Sequence, residues 1–243
     1  MLVLDIQRRL LALGYDLGKS GPAKDGVDGD LGEVSQTAIL AALETGKSAP
    51  AKPATPATPP KPAIVGSAVP MDWTPAATMK RIIVHWTAGA HRASAVDKSH
   101  YHLLIEGDGS LVRGKPSIDL NAATGVKPGY AAHTLNCNTG SIGVSLCCMA
   151  GAIESPFHAG VAPMTREQWD ELPLVLADLC RRYRIPVGAS TVLSHAEVQS
   201  TLKIAQRGKW DIARLAFDPG VVGAKAIGDL IRKRTAALLE AAT

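Results

Sequence analysis

From Lys47 to Asp72 the chain reads KSAPAKPATPATPPKPAIVGSAVPMD, a run in which no packed element can form. Proline brings no backbone donor and a restricted φ, so such a stretch favours extended polyproline geometry over helix or sheet. It is expected to act as a semi-rigid linker over residues 47–72, leaving a small piece, 1–46, and a large one, 73–243. The chain has 243 residues, of which 46% are hydrophobic, enough for the large piece to bury a core of its own.

The small piece reads as helical. Asp5 is placed to cap a helix carrying Ile6, Leu10 and Leu13 at i, i+4 and i+7, and Gly14 to stop it. A Gly/Asp-rich loop, Asp25 to Asp30, then leads into a second helix with Val34, Ala38, Ile39, Ala42 and Leu43. A calcium loop fails on its last ligand, because the twelfth position from Asp25 is Gln36. DIQRRLLALGYDL followed by VDGDLGEVSQTAI resembles the peptidoglycan-binding helical module, which implies an all-α wall-binding domain over 1–46.

The large piece alternates strand and helix signals, predicting an α/β domain with a central mixed sheet flanked by helices. Tyr101, Leu103 and Ile105 alternate with His102 and Leu104, and Gly107-Asp108-Gly109 turns the chain into Leu111-Val112-Arg113 as a hairpin. Ile142, Val144 and Leu146 mark another strand. Thr165 and Gln168 form a capping box for a helix with Trp169, Leu172, Leu176, Leu179 and Tyr183 on one face. Pro173 conflicts with that helix unless it lies in the early turns. A last helix, from about Ala224 to Ala242, turns Ile227, Leu230, Ile231 and Leu238 inward and Arg232 and Lys233 outward.

Several function classes fall away on composition. A net charge of +4 is modest and spread along the chain, and aromatic residues make up 4%, so nucleic-acid binding is not expected. Cys137, Cys147, Cys148 and Cys180 show no CxxC spacing, which leaves reduced packing residues rather than a zinc ribbon or redox pair. Membrane insertion is not expected, since no segment approaches the roughly 18 apolar residues of a span. The first residues, MLVLD, carry no basic and apolar leader pattern, so no signal peptide is expected and the chain should accumulate in the cytoplasm of the cell that makes it.

Chemistry concentrates on two histidines. His85 closes the run Arg81-Ile82-Ile83-Val84, His195 closes Thr191-Val192-Leu193-Ser194, and Lys209-Trp210-Asp211 follows. Two imidazoles at strand ends and a carboxylate are what a catalytic zinc site requires: three protein ligands and an open position. Lys209 and Asp211, two apart in an extended segment, share a face.

Five segments in order, RIIVHWTAG, HYHLLIEGDGSLVRG, AAHTLNCNTGSIGVSL, LSHAEV and GKWD, resemble the type 2 N-acetylmuramoyl-L-alanine amidases, whose fold is shared with peptidoglycan-recognition proteins and phage amidases. The resemblance covers most of residues 81–211. It implies Zn2+ held by His85, His195 and Asp211, and Lys209 stabilising the oxyanion. It also implies Tyr101 near the attacking water, His102 packing beneath the site, and His133 contacting substrate in the groove. The interval from His195 to Asp211 is longer than in compact relatives, with Gln199 to Arg207 standing as an insertion. One branch of the family has a catalytic glutamate where this chain has Ser145. Catalysis would then rely on zinc lowering the water pKa toward about 7, assisted by Tyr101 and Lys209.

The implied reaction is hydrolysis of the amide between N-acetylmuramic acid and L-alanine of peptidoglycan, by a monomer. A wall-binding module and linker on such a domain resemble a phage endolysin, held in the host cytoplasm until released to the wall. A bacterial recycling amidase and a non-catalytic peptidoglycan receptor remain the alternatives at this point.

Overall fold

The computed structural model describes residues 67–241 throughout and, before them, residues 3–12 with scattered positions between 17 and 43. The chain divides into two units, Met1–Ala63 and Ile64–Thr243. In the first, helix α1 spans Val3–Ala12. It begins ahead of Asp5, so that residue sits in the first turn, where an acidic group complements the helix dipole, rather than at the cap. Leu10 is buried with Leu17, and Ile6 and Ile39 pack against them. The buried Gln7 amide donates to Asp28 Oδ1 at 2.8 Å, the Asp30 carbonyl and Ser35 Oγ, while its oxygen accepts from the Asp28 and Gly29 amides. One side chain thereby organises the Gly/Asp loop. The turn at Leu13 to Tyr15, most of the second helix and residues 47–66 lie outside the described residues.

The second unit is built on a mixed five-stranded sheet of order β3-β2-β4-β1-β5, with β1 at Arg81–Trp86, β2 at Leu103–Ile105, β3 at Leu111–Arg113, β4 at Ser141–Leu146 and β5 at Val192–Ser194. Strand β1 runs parallel to both β4 and β5, and β2 parallel to β4. Only the hairpin of β2 and β3 is antiparallel. Parallel strands covered on both faces need near-continuous apolar runs. Accordingly every residue of β2 and β4 is buried.

Four helices complete the unit: α2 (Ala95–His100), α3 (Arg166–Tyr183), α4 (His195–Leu202) and α5 (Ala224–Glu240). Ile82, Val84, Ile142, Val144 and Leu146 join Leu172, Leu176, Leu179, Ile227 and Ile231 in the main core, so α3 and α5 cover one sheet face. On the other face Ile83 and Leu193 pack with Val198 of α4 and Cys137. The four cysteines are free and buried.

Helix α3 starts as the capping box predicts: Thr165 Oγ1 accepts from the Gln168 amide, and Gln168 Oε1 accepts from the Thr165 amide. Pro173 sits beyond the early turns, and its tolerance has a local cause. The Trp169 carbonyl, which a residue-173 amide would have bonded, accepts from Arg234 Nη1 at 2.7 Å instead.

Two expectations need correcting. Arg232 does not face solvent; it is 9% exposed, pairing with Glu197 at 2.9 Å and Asp229 at 2.7 Å and donating to the Val192 carbonyl. A buried Glu197 needs a counter-charge, which overrides the amphipathic reading of α5. The packed chain also begins before Trp73, since Val69 is 2% exposed in the core and Asp178 accepts from Ser67 Oγ and the Val69 amide. No helix among the described residues is long and apolar enough to cross a membrane.

Candidate active site

His85 lies in β1, on the same face as Ile83, at the carboxyl end of the parallel strands where ligands bind in open α/β sheets. His195 is the first residue of α4, immediately after β5. That helix is fixed by a box in which Glu197 Oε2 accepts from the amide and hydroxyl of Ser194. Asp211 is drawn in through its backbone: its carbonyl accepts from the Ala196 amide at 2.6 Å, one of the donors that a helix's first turn leaves free.

These elements bring His85 Nδ1, His195 Nδ1 and Asp211 Oδ2 into a triangle with all three sides 3.1 Å. His85 is fully enclosed, while His195 is 5% and Asp211 7% exposed. They form the one group of three or more His, Cys, Asp or Glu residues among those described that could hold a metal ion.

The proton inventory of this triangle follows from its surroundings. Gln206 Nε2 donates to the carbonyls of Leu135 at 2.9 Å and Ile204 at 3.3 Å, so Gln206 Oε1, 2.9 Å from His195 Nε2, must accept. His195 therefore carries its proton on Nε2 and a lone pair on Nδ1. On the other ring, the Ser141 carbonyl lies 3.4 Å from His133 Nε2 and can only accept. His133 Nδ1 is then an acceptor facing both the Thr134 hydroxyl at 2.8 Å and His85 Nε2 at 3.1 Å; with His85 Nε2 donating there, His85 Nδ1 turns a lone pair inward. Three acceptor atoms then meet, an arrangement that a metal cation would satisfy. Tetrahedral zinc with bonds of about 2.0–2.1 Å sets its ligand atoms about 3.3 Å apart, and the donor set of two imidazoles and a carboxylate fits it.

Electrostatics agree with neutral rings. Burial pushes His85 down to about 4, with Asp211 opposing and His195 and Lys209 adding to the shift. Burial likewise depresses His133. Asp211 is held below the ordinary carboxylate value: burial raises it, and the His195 and His85 rings beside it more than compensate.

A groove of about 1000 Å³ opens over the triangle, its walls including Trp86, Tyr101, Tyr130, Leu135, Arg207 and Lys209. Tyr101 caps the C-terminus of α2 rather than lying in a strand, and its ring centroid is 5.1 Å from that of His85. Burial raises its phenol well above the usual range, so it remains a donor. Lys209 is exposed on the rim. His133 also lines the groove, but its ring is largely buried against Gly143, where a Cβ would come within 2.7 Å of it. His102 does pack beneath the site, donating from Nε2 to Asn121 Oδ1 and accepting at Nδ1 from the Gly143 amide. Ser145 pairs with His85 across β1 and β4, and its side chain is fully buried.

Sequence reasoning missed Gln206 and Asn121. Gln206 belongs to the segment that reads as an insertion, so no family spacing marks it. Asn121, fully buried, accepts from the Ala131 amide and donates to the Ala131 and Asn138 carbonyls, anchoring the loop that carries His133. An isolated asparagine between Leu120 and Ala122 gives no sign of this.

Comparison with known proteins adds the following. A search of curated proteins finds no match. Among solved structures, the chain is similar to the N-acetylmuramyl-L-alanine amidase AmiD from E. coli in complex with anhydro-N-acetylmuramic acid-L-Ala-D-gamma-Glu-L-Lys. Identity is 22% and the TM-score 0.35, over 49% of this chain and 48% of that one, so this chain spans about half the length of that relative. It is also similar to the Ph2119 endolysin of a Thermus scotoductus bacteriophage, with 15% identity and a TM-score of 0.39 over 67% of this chain and 88% of that one. The endolysin amidase LysCS from Clostridium intestinale matches with 17% identity and a TM-score of 0.34, over 58% and 92%. With TM-scores this low, the assignment rests on sequence: the family described as N-acetylmuramoyl-L-alanine amidase matches residues 75–214, more than half of the chain. This protein belongs to the N-acetylmuramoyl-L-alanine amidase family.

Proposed function

We propose that the chain is a zinc-dependent amidase that hydrolyses the bond between N-acetylmuramic acid and L-alanine in peptidoglycan, acting as an endolysin. The observation that carries the zinc reading is the convergence of His85 Nδ1, His195 Nδ1 and Asp211 Oδ2 at 3.1 Å without a shared proton. When bound, zinc supplies a Lewis acid that polarises the scissile carbonyl and activates water at neutral pH. His133 and Gln206 hold the protons on the outer nitrogens of the two imidazoles, keeping the inner lone pairs available. Lys209 places an ammonium on the rim beside the reacting carbonyl, where it stabilises the developing oxyanion. The protonated Tyr101 hydroxyl donates to the tetrahedral intermediate. With Ser145 in place of a carboxylate, no side chain on β4 takes up a proton.

Residues 1–46 are assigned the role of wall anchor, on the resemblance of the first segments to a peptidoglycan-binding module, and the proline-rich stretch from 47 up to the packed Ser67 and Val69 that of tether. An enzyme carrying its own wall anchor suits intact wall more than soluble fragments, which favours an endolysin acting as a monomer from a lysing host's cytoplasm over a recycling enzyme.

The purified chain is expected to hold about one zinc per molecule and to lose activity to a strong chelator. Mass spectrometry of products from defined muropeptides should show a free lactyl carboxylate and a free L-alanine amine. Full lytic activity in metal-free protein, or cleavage of another bond, refutes the reading.

A further inference from the structure

Gln206 is 3% exposed, yet it lies in the loop following α4, a place where a glutamine would ordinarily face water. Each polar atom of its amide is engaged. The nitrogen serves the Leu135 and Ile204 carbonyls, the oxygen takes the His195 Nε2 proton at 2.9 Å, and its backbone amide is held by Gln199 Oε1. Two carbonyls, which can only accept, thus dictate which end of the amide faces the imidazole. A flipped amide would set oxygen against oxygen at Leu135 and leave the ring nitrogen facing a donor.

We infer that Gln206 is a positioning residue that fixes the tautomer and ring orientation of His195 for metal binding. It is supplied by the extra residues between His195 and Asp211. This inference rests on the zinc reading above. A hydrogen bond to the remote nitrogen both aims the coordinating lone pair and raises ligand basicity. The amide also ties His195 to Leu135, whose side chain is 43% exposed on the groove wall. The ligand and that wall therefore share a support.

The test is zinc affinity of the full chain, measured by competition with a chromophoric chelator. Gln206→Leu removes the acceptor and should weaken binding by about 10- to 100-fold. Gln206→Glu keeps an acceptor for His195 Nε2 but sets oxygen against the Leu135 and Ile204 carbonyls, and should lose less zinc affinity than Gln206→Leu. Parental affinity in Gln206→Leu overturns the inference. So does an equal loss in both variants, which would make the donor side or simple packing responsible. If Gln206→Leu does not fold, Gln206→Met, of similar length and without the amide acceptor, takes its place, and parental affinity in it overturns the inference. A parent chain that binds no zinc overturns both this and the zinc reading, whereas normal parental binding with an unaffected Gln206→Leu overturns this alone.

Discussion

Lys209 and Asp211 are two residues apart but differ in environment, and the proposed division between metal binding and catalysis rests on that difference. Asp211 is buried against both imidazoles, whereas Lys209 is exposed and touches the site only through its charge, as its effect on His85 indicates. Lys209→Ala should therefore keep its zinc while turnover on muropeptide falls by about 100-fold, the usual cost of losing an oxyanion donor. Turnover at the parental rate would make Lys209 an ordinary surface lysine. His195→Ala should lose zinc and turnover together, because two ligands hold a catalytic metal poorly. Measuring metal content and rate on both variants separates the roles.

Among the elements, α4 and α5 are coupled through a single buried ion pair. Glu197 caps α4 at Ser194 and also binds Arg232 of α5, so the charge that supports α5 also fixes the turn from which His195 emerges. Arg232→Ala leaves Glu197 buried without its partner and should cost about 3–5 kcal/mol in urea unfolding. A loss under 1 kcal/mol would show that water reaches Glu197 and that the pair is surface-like. His102 makes a second prediction at this scale. Its folded pKa is depressed by burial to about 4 from 6.5, and its Nδ1 is committed to the Gly143 amide. Because the unfolded chain takes the proton first, this contribution is complete above pH 6.5 and declines as pH falls toward 4, by about 3 kcal/mol in all. His102→Gln provides a side chain that can donate and accept without titrating, and should reduce the slope of unfolding free energy against pH in that window. An unchanged slope would place the acid sensitivity elsewhere.

For the molecule as a whole, the prediction concerns where the catalytic unit begins. A fragment of residues 67–243 keeps Val69 in the core and should hydrolyse soluble muropeptides at the parental rate while losing activity on intact wall, where a tethered anchor raises local substrate concentration. Equal losses on both substrates would mean that the N-terminal residues complete the catalytic fold, and no loss on either would remove the anchor assignment. Starting at residue 73 instead discards Val69 and should cost about 2 kcal/mol of stability. What the sequence determined alone is whatever depends on neighbours along the chain: the β1 run ending in His85, the turn at Gly107 to Gly109, the Thr165 and Gln168 cap, and the ordered segments that carry the family. These are read locally because hydrogen-bonding period, turn conformation and capping act over a few residues. Only the tertiary structure decided the rest. It set Gln206 behind His195, His133 behind His85, Arg232 against Glu197 and Arg234 over the carbonyl that Pro173 leaves free. Each of these pairs joins residues 11 to 65 positions apart in the chain. Their partners are chosen by the need to satisfy polar groups buried when sheet and helices close, a demand that does not exist until the chain has folded.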